Sequence, residues 1–229
     1  MSWKFSFVGL AAFACLTLNG ADPTWKTKPV AEWDENDAKQ LLANSPWVKR
    51  ATPALIPQSS EDSRREGGVM GNATPGPKAL KNGGADLGAG QHGPKNGRLA
   101  PVTLRWESAF PVRTAEVKAH EMAAPDWDGD AYVIAVYDIP DLKTNDKILA
   151  NLMLKTAVLK REGKKDLRPY SVQLMQQTNG LGIAVYLFPR SVEISKDDQR
   201  LEFIAQIGRL SLAQYFFPAE MELEGKLQL

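Results

Sequence analysis

One stretch of this chain limits where ordered structure can form. Residues 57 to 100 hold ten of the 18 glycines and four of the 15 prolines, and no Phe, Trp or Tyr. A segment of that composition buries too little apolar surface to offset the entropy of ordering its backbone, so it predicts a flexible linker or a long loop. Ordered structure is then expected in a short part before it, residues 21–56, and in a larger domain after it, residues 101–229. His92 falls inside the stretch, where an imidazole without an orienting partner reads as solvated. The GxG and GxxG spacings there have no strand before them and no helix after them, so they lack the context of a nucleotide-binding loop.

Charge and cysteine usage exclude several function classes. Lys and Arg number 28 against 27 Asp and Glu, a net charge of +1. That balance argues against nucleic acid as a partner, because phosphate binding relies on clustered positive charge. One Cys and two His in 229 residues leave no internal disulfide framework and no zinc site built from several Cys or His. A Gly-x-Ser-x-Gly elbow is absent, and a Ser-His or Cys-His nucleophile pair has almost nothing to be built from. His120, the one His outside the linker, stands beside Glu121 near the end of an expected helix, where a cationic imidazole suits the helix dipole.

The first twenty residues read as an export signal. Lys4 supplies a positive start, and Phe5 to Leu18 is apolar apart from Ser6 and Thr17. Small residues follow at Gly20 and Ala21 before the polar break at Asp22-Pro23. A run of this length with these flanks resembles a cleaved signal peptide (residues 1–20) more than a membrane span, and no later stretch is long enough to be a transmembrane helix. Ala12-Phe13-Ala14-Cys15 partly matches a lipoprotein processing box, which would place a lipid anchor on Cys15. The bulky Phe and the Ala in place of the usual Leu favour the ordinary signal. The expected location is periplasmic or extracellular, and a mature chain without Cys must be held by its core.

In residues 21–56, Asp34 looks like the N-cap of a short helix with acidic residues in its first turn, ended by Asn44-Ser45-Pro46. Ala38, Leu41 and Leu42 make one apolar stripe. A helix this short needs a surface to dock on. Two surfaces are open to Trp33, Leu41, Leu42 and Trp47: the C-terminal domain of the same chain, or an envelope protein partner gripped by a tethered helix.

From residue 101 the pattern alternates between strand and helix. Val102, Leu104 and Trp106 alternate with polar residues, as in a half-buried strand. Val112, Ala115 and Ala119 recur at helical spacing within 108–121, and Met122 continues the spacing just beyond. Residues 131–138 form a nearly continuous apolar run, as in a central strand. Ile148, Leu149, Leu152, Met153 and Leu159 suggest a helix over 144–162 with Gly163 as C-cap. Asn179-Gly180 marks a hairpin between strands near 170–177 and 181–188. Further strands fit 200–208, 210–217 and the alternating end of the chain. The fold class expected is α+β: two helices on a mostly antiparallel sheet of about seven strands, preceded by the short helix and the linker.

Several segments are similar to a family of exported bacterial proteins with no assigned activity. They are Asp37-Ala38-Lys39-Gln40-Leu41-Leu42 running into Asn44-Ser45-Pro46-Trp47, the Arg105-Trp106-Glu107-Ser108 turn, residues 202–208, and Gly225-Lys226-Leu227. The resemblance implies export and a common architecture, and no chemistry.

Candidate chemistry is sparse. Asp126, Asp128 and Asp130 place carboxylates at alternate positions and could offer oxygens to Ca²⁺, but the glycine and the final Glu of a calcium loop are missing, and an acidic turn needs no ion. Residues 160–168 carry five cations, which would either sit solvated at a helix end or meet an anionic surface. A carboxylate pair such as Glu107 with Glu121 would suit a glycoside hydrolase if the spacing were right. The tryptophans at 25, 33, 47, 106 and 127 are expected to be packing anchors rather than sugar platforms. These features favour a non-catalytic binding or assembly component, with a carboxylate-dependent, carbohydrate-active hydrolase as the alternative.

Overall fold

Strands built from alternating and continuous apolar runs assemble into two antiparallel sheets. The computed structural model describes residues 22–56, 99–121, 124, 127 and 130–229. The expected signal peptide with Cys15, nearly all of the Gly-rich stretch with His92, and Met122, Asp126 and Asp128 lie outside the described residues. The first sheet runs in the order β1 (Val48–Ala51), β3 (Val102–Trp106), β4 (Ala131–Ile139), β7 (Gly182–Pro189), β6 (Ser171–Gln176). The second runs β2 (Ala54–Leu55), β9 (Leu210–Phe216), β8 (Leu201–Ile207), β5 (Val158–Arg161). A small hairpin, β10 (Glu222–Leu223) with β11 (Lys226–Leu227), follows. The chain is thus α+β, with four α-helices among the described residues, but the strands expected in one sheet of about seven are, among those residues, eleven divided among three sheets.

Side-chain alternation assigns the two faces of the first sheet. Leu104, Trp106, Ile134, Tyr186 and Phe188 point to the second sheet, where the Trp106 ring meets Phe216 edge-on at 5.3 Å and Tyr186 meets Phe203 at 5.2 Å. Such crossed rings bury large areas and add to the stabilisation from area alone. The opposite face carries a second buried cluster of Val133, Ala135, Tyr137, Ile183, Val185 and Leu187, with Trp127 half-buried against it. Both faces being covered explains why Ala131–Ile139 is apolar almost throughout.

The helices are α1 (Thr24–Thr27), α2 (Glu35–Ala43), α3 (Phe110–Ala119) and α4 (Lys147–Thr156). Asp34 caps α2 as expected, accepting from the Asp37 backbone N–H at 2.8 Å, and Asp37 returns the bond to the Asp34 N–H. Asp37 is also gripped by Lys28 at 2.7 Å and by the Thr24 hydroxyl. These bonds hold its carboxyl at about 2 despite burial.

Three expectations need correction. Trp33, Leu41, Leu42 and Trp47, offered as a partner-docking face, are buried in this chain's own core, where Trp25 meets Trp47 edge-on at 5.8 Å. The reason is that residues 22–56 are no tethered module: β1 pairs with β3 in one sheet and β2 with β9 in the other. The helix expected over 144–162 stops at Thr156, and Leu159 reaches the core from strand β5. Two apolar residues of its stripe, Ile148 and Leu152, are left exposed, while Met153 is buried. The strand at 102–106 is buried on both faces, not on one. No helix among the described residues is long and apolar enough to cross a membrane.

Because residues 22–56 add a strand to each large sheet, Leu41→Ala should destabilise the whole chain by about 2–5 kcal/mol, the range for a buried leucine. In urea, Trp fluorescence and far-UV circular dichroism should shift together in one transition; separate midpoints would mean that the N-terminal part unfolds on its own.

Candidate functional site

Strand register brings the charged residues of the buried face into rows. Arg50 of β1 lies opposite Thr103 of β3, and Thr103 lies opposite Tyr137 of β4. Arg105, two residues along β3, therefore shares their face and lies opposite Ala135. Helix α3 runs over this end of the sheet and lowers Glu116 onto it. Pro111 in its first turn has no N–H to leave unbonded, and His120 ends the helix in the left-handed region at φ 55°.

Arg105 is only 8% exposed and is held by carboxylates on either side. Its guanidinium donates to Glu121 and, at 3.3 Å, to Glu116, and it stacks 4.6 Å from the centre of the Tyr137 ring. The Tyr137 hydroxyl donates to Glu107 at 2.5 Å and lies 3.4 Å from Glu116. Arg113 approaches Glu116 at 3.6 Å. Glu107 and Glu116 are 0% and 1% exposed. Burial, and then the negative charge of Glu107, push Glu116 up to about 9. Burial also raises Glu107, against the opposing hydrogen bonds from Tyr137 and Glu116. Tyr137 is raised as well, by burial first and then by Glu107. Burial thus disfavours the ionised form of both glutamates, and the two carboxyls titrate as a coupled pair.

Beside this network opens a pocket of about 250 Å³. Lys39, Leu42 and Ala43 of α2 wall one side; Arg50, Thr103, Arg105, Glu121 and Asp138 wall the rest. Asp138 is reached by a break in register between Val136 and Ile139, and its backbone sits at φ 65°, unusual for a residue with a side chain. The Thr103 hydroxyl donates to its carboxylate at 3.0 Å. A strained bulge that aims a carboxylate at a pocket is the kind of local conflict found at functional sites.

The structure separates the residues singled out from sequence. Glu107 pairs with Glu116, not with Glu121, which instead binds Arg105. Asp130 is exposed and faces Arg190 at 3.2 Å, while Asp126 and Asp128 lie outside the described residues. Among the described residues no group of three or more His, Cys, Asp or Glu could hold a metal ion. The basic stretch 160–168 belongs to a strand and turn: Arg161 makes a buried two-pronged pair with Asp198 at 2.8 and 2.9 Å, and Lys164 joins it at 3.1 Å. Burial pushes the Asp198 carboxyl up, but these cations and the Ser195 N–H outweigh it and hold the group at about 2. Arg50, Glu116, Tyr137 and Asp138 carried no sequence motif, and Arg105 stood out only within a segment that implied no chemistry.

No family model, no curated protein and no solved structure matches the chain.

A carboxyl whose pKa rises on folding favours the folded state below its ordinary value and loses that contribution as pH climbs towards the folded value. Stability should therefore fall between pH 5 and 9, by up to about 1.4 kcal/mol per pH unit for one proton. Glu116→Gln, which keeps the neutral shape, should flatten that slope in denaturation midpoints measured across the range.

Proposed function

We propose that the chain is an exported, non-catalytic binding protein and that the charged pocket between α2 and the first sheet is its ligand-binding surface. The supporting observation is the burial of the Glu107–Glu116 pair. A general acid must come within hydrogen-bond reach of the atom it protonates. Here Arg105 lines the pocket and contacts the buried Glu116 behind it, while neither Glu107 nor Glu116 lines the pocket. Glu116 holds Arg105 directly and Glu107 braces the Tyr137 hydroxyl beneath it, so the pair supports the pocket wall. Export is supported by the apolar run from Phe5 to Leu18 and the small residues after it.

The hydrolase reading retains one favourable observation, a carboxyl raised to about 9 next to a second carboxylate. Turnover assays decide between the two. The mature protein should leave aryl glycosides, oligosaccharides and simple esters unchanged, whereas hydrolysis that disappears in Glu116→Gln would establish the hydrolase. Mass spectrometry of the protein from its native cell should find a first residue of Ala21 or Asp22 in the envelope or medium. An intact N-terminus confined to the cytosol would overturn export.

A further inference from the structure

We propose that the pocket beside Arg105 binds a small zwitterion, a free amino acid or a molecule with the same closely spaced carboxylate and ammonium; this rests on the binding reading above. Most of its charges are already engaged. Arg105 is held by Glu121 and Glu116, Lys39 by Glu35 at 2.6 Å, and the Thr103 hydroxyl by Asp138. Glu121 spends one oxygen on Arg105 and keeps the other, and two further groups of opposite charge remain available. Arg50 has no hydrogen-bond or ion-pair partner among the described residues, and Asp138 accepts from Thr103 at one carboxylate oxygen, leaving the other open.

These two groups have opposite charge and flank one residue. Arg50 lies directly opposite Thr103 on one side, and the Asp138 carboxylate is bonded to Thr103 on the other. They make no ion pair with each other, although both line the same cavity of about 250 Å³. A ligand carboxylate would meet the Arg50 guanidinium, whose planar fork suits two parallel hydrogen bonds. Its ammonium would meet Asp138. Leu42 and Ala43 offer an apolar wall for whatever else the ligand carries. A dianion would leave Asp138 facing a like charge, and a dication would do the same to Arg50, so selectivity comes from repulsion as well as attraction. The bulge at Val136–Ile139 gains a purpose, because without it the strand would not present Asp138 here.

The test is isothermal titration calorimetry on the mature chain with glycine, glutamate and lysine as zwitterions, succinate and putrescine as charge controls, and inorganic phosphate. At least one amino acid should bind, and the controls should bind at least about tenfold more weakly. Arg50→Gln and Asp138→Asn should each weaken binding by roughly tenfold or more with melting temperature little changed, since Arg50 is exposed and Asn accepts the left-handed backbone. Arg50→Lys should recover part of the loss. Succinate or phosphate binding as tightly as the amino acids, with no effect of Asp138→Asn, would overturn the zwitterion in favour of a plain anion site. Binding of none of the probes would overturn the ligand class, while the non-catalytic reading would still stand or fall on the turnover assays.

Discussion

A guanidinium occupies a place where an aliphatic side chain would ordinarily sit. Arg105 lies on the covered face of a central strand, 8% exposed, and removing such a charge from water costs several kcal/mol unless its partners are well placed. The partners come from three directions: Glu116 from α3, Glu121 just beyond it, and the Tyr137 ring from the neighbouring strand. Helix position, strand register and the end of α3 are therefore tied to one cation. Arg105 and Arg113 face three carboxyls, Glu107, Glu116 and Glu121, so the cluster is neutral when one of the three is protonated. Glu116 takes the direct contacts with both cations, while Glu107 is braced by the Tyr137 hydroxyl.

The N-terminal part completes this arrangement. β1 supplies Arg50 and lies beside β3, while α2 packs on α3 and brings Lys39, Leu42 and Ala43 to the pocket rim. Trp25, Trp33 and Trp47 anchor the segment in the main core, and the Trp47 indole donates to the Gln228 carbonyl at 2.8 Å. Residues far apart in the chain thus form one unit, and the pocket exists only because they do.

Local rules made much of the fold legible. Asn179-Gly180 announces its hairpin because the turn needs a positive φ, and Gly180 adopts 83°. Asp34 announces α2 because a short acidic side chain can reach the third N–H of the helix. The failures lie where local patterns are ambiguous or pairing is distant. Between Thr156 and Val158 no Gly or Pro marks the change from helix to strand, so the apolar spacing continues as a helix on paper. β1 and β2 are short, β1 carries Lys49 and Arg50, and both are strands only because non-local partners pair with them. The site was hidden for a related reason. Alternation assigns Arg105 to a solvent face, and nothing in the spacing says that α3 covers it. Tyr137-Asp138 reads as the end of an apolar run, with no sign of a bulge.

The pocket and the buried network have opposite demands. Arg105 and the carboxyls behind it must stay fixed, since any loosening leaves charges buried without partners. Arg50 and Asp138 are uncommitted at the front and can satisfy a ligand without disturbing what lies behind. A left-handed non-glycine such as Asp138 costs on the order of 1–3 kcal/mol, and the hydrogen bond from Thr103 offsets only part of that. Strain of this size persists because the pairing on either side of the break, Thr103 with Tyr137 and Gly182 with Ile139, fixes the backbone that leads into and out of Asp138. The carboxyls with raised pKa thus lie inside the protein, behind Arg105, while Arg50 and Asp138 line the pocket in front of it.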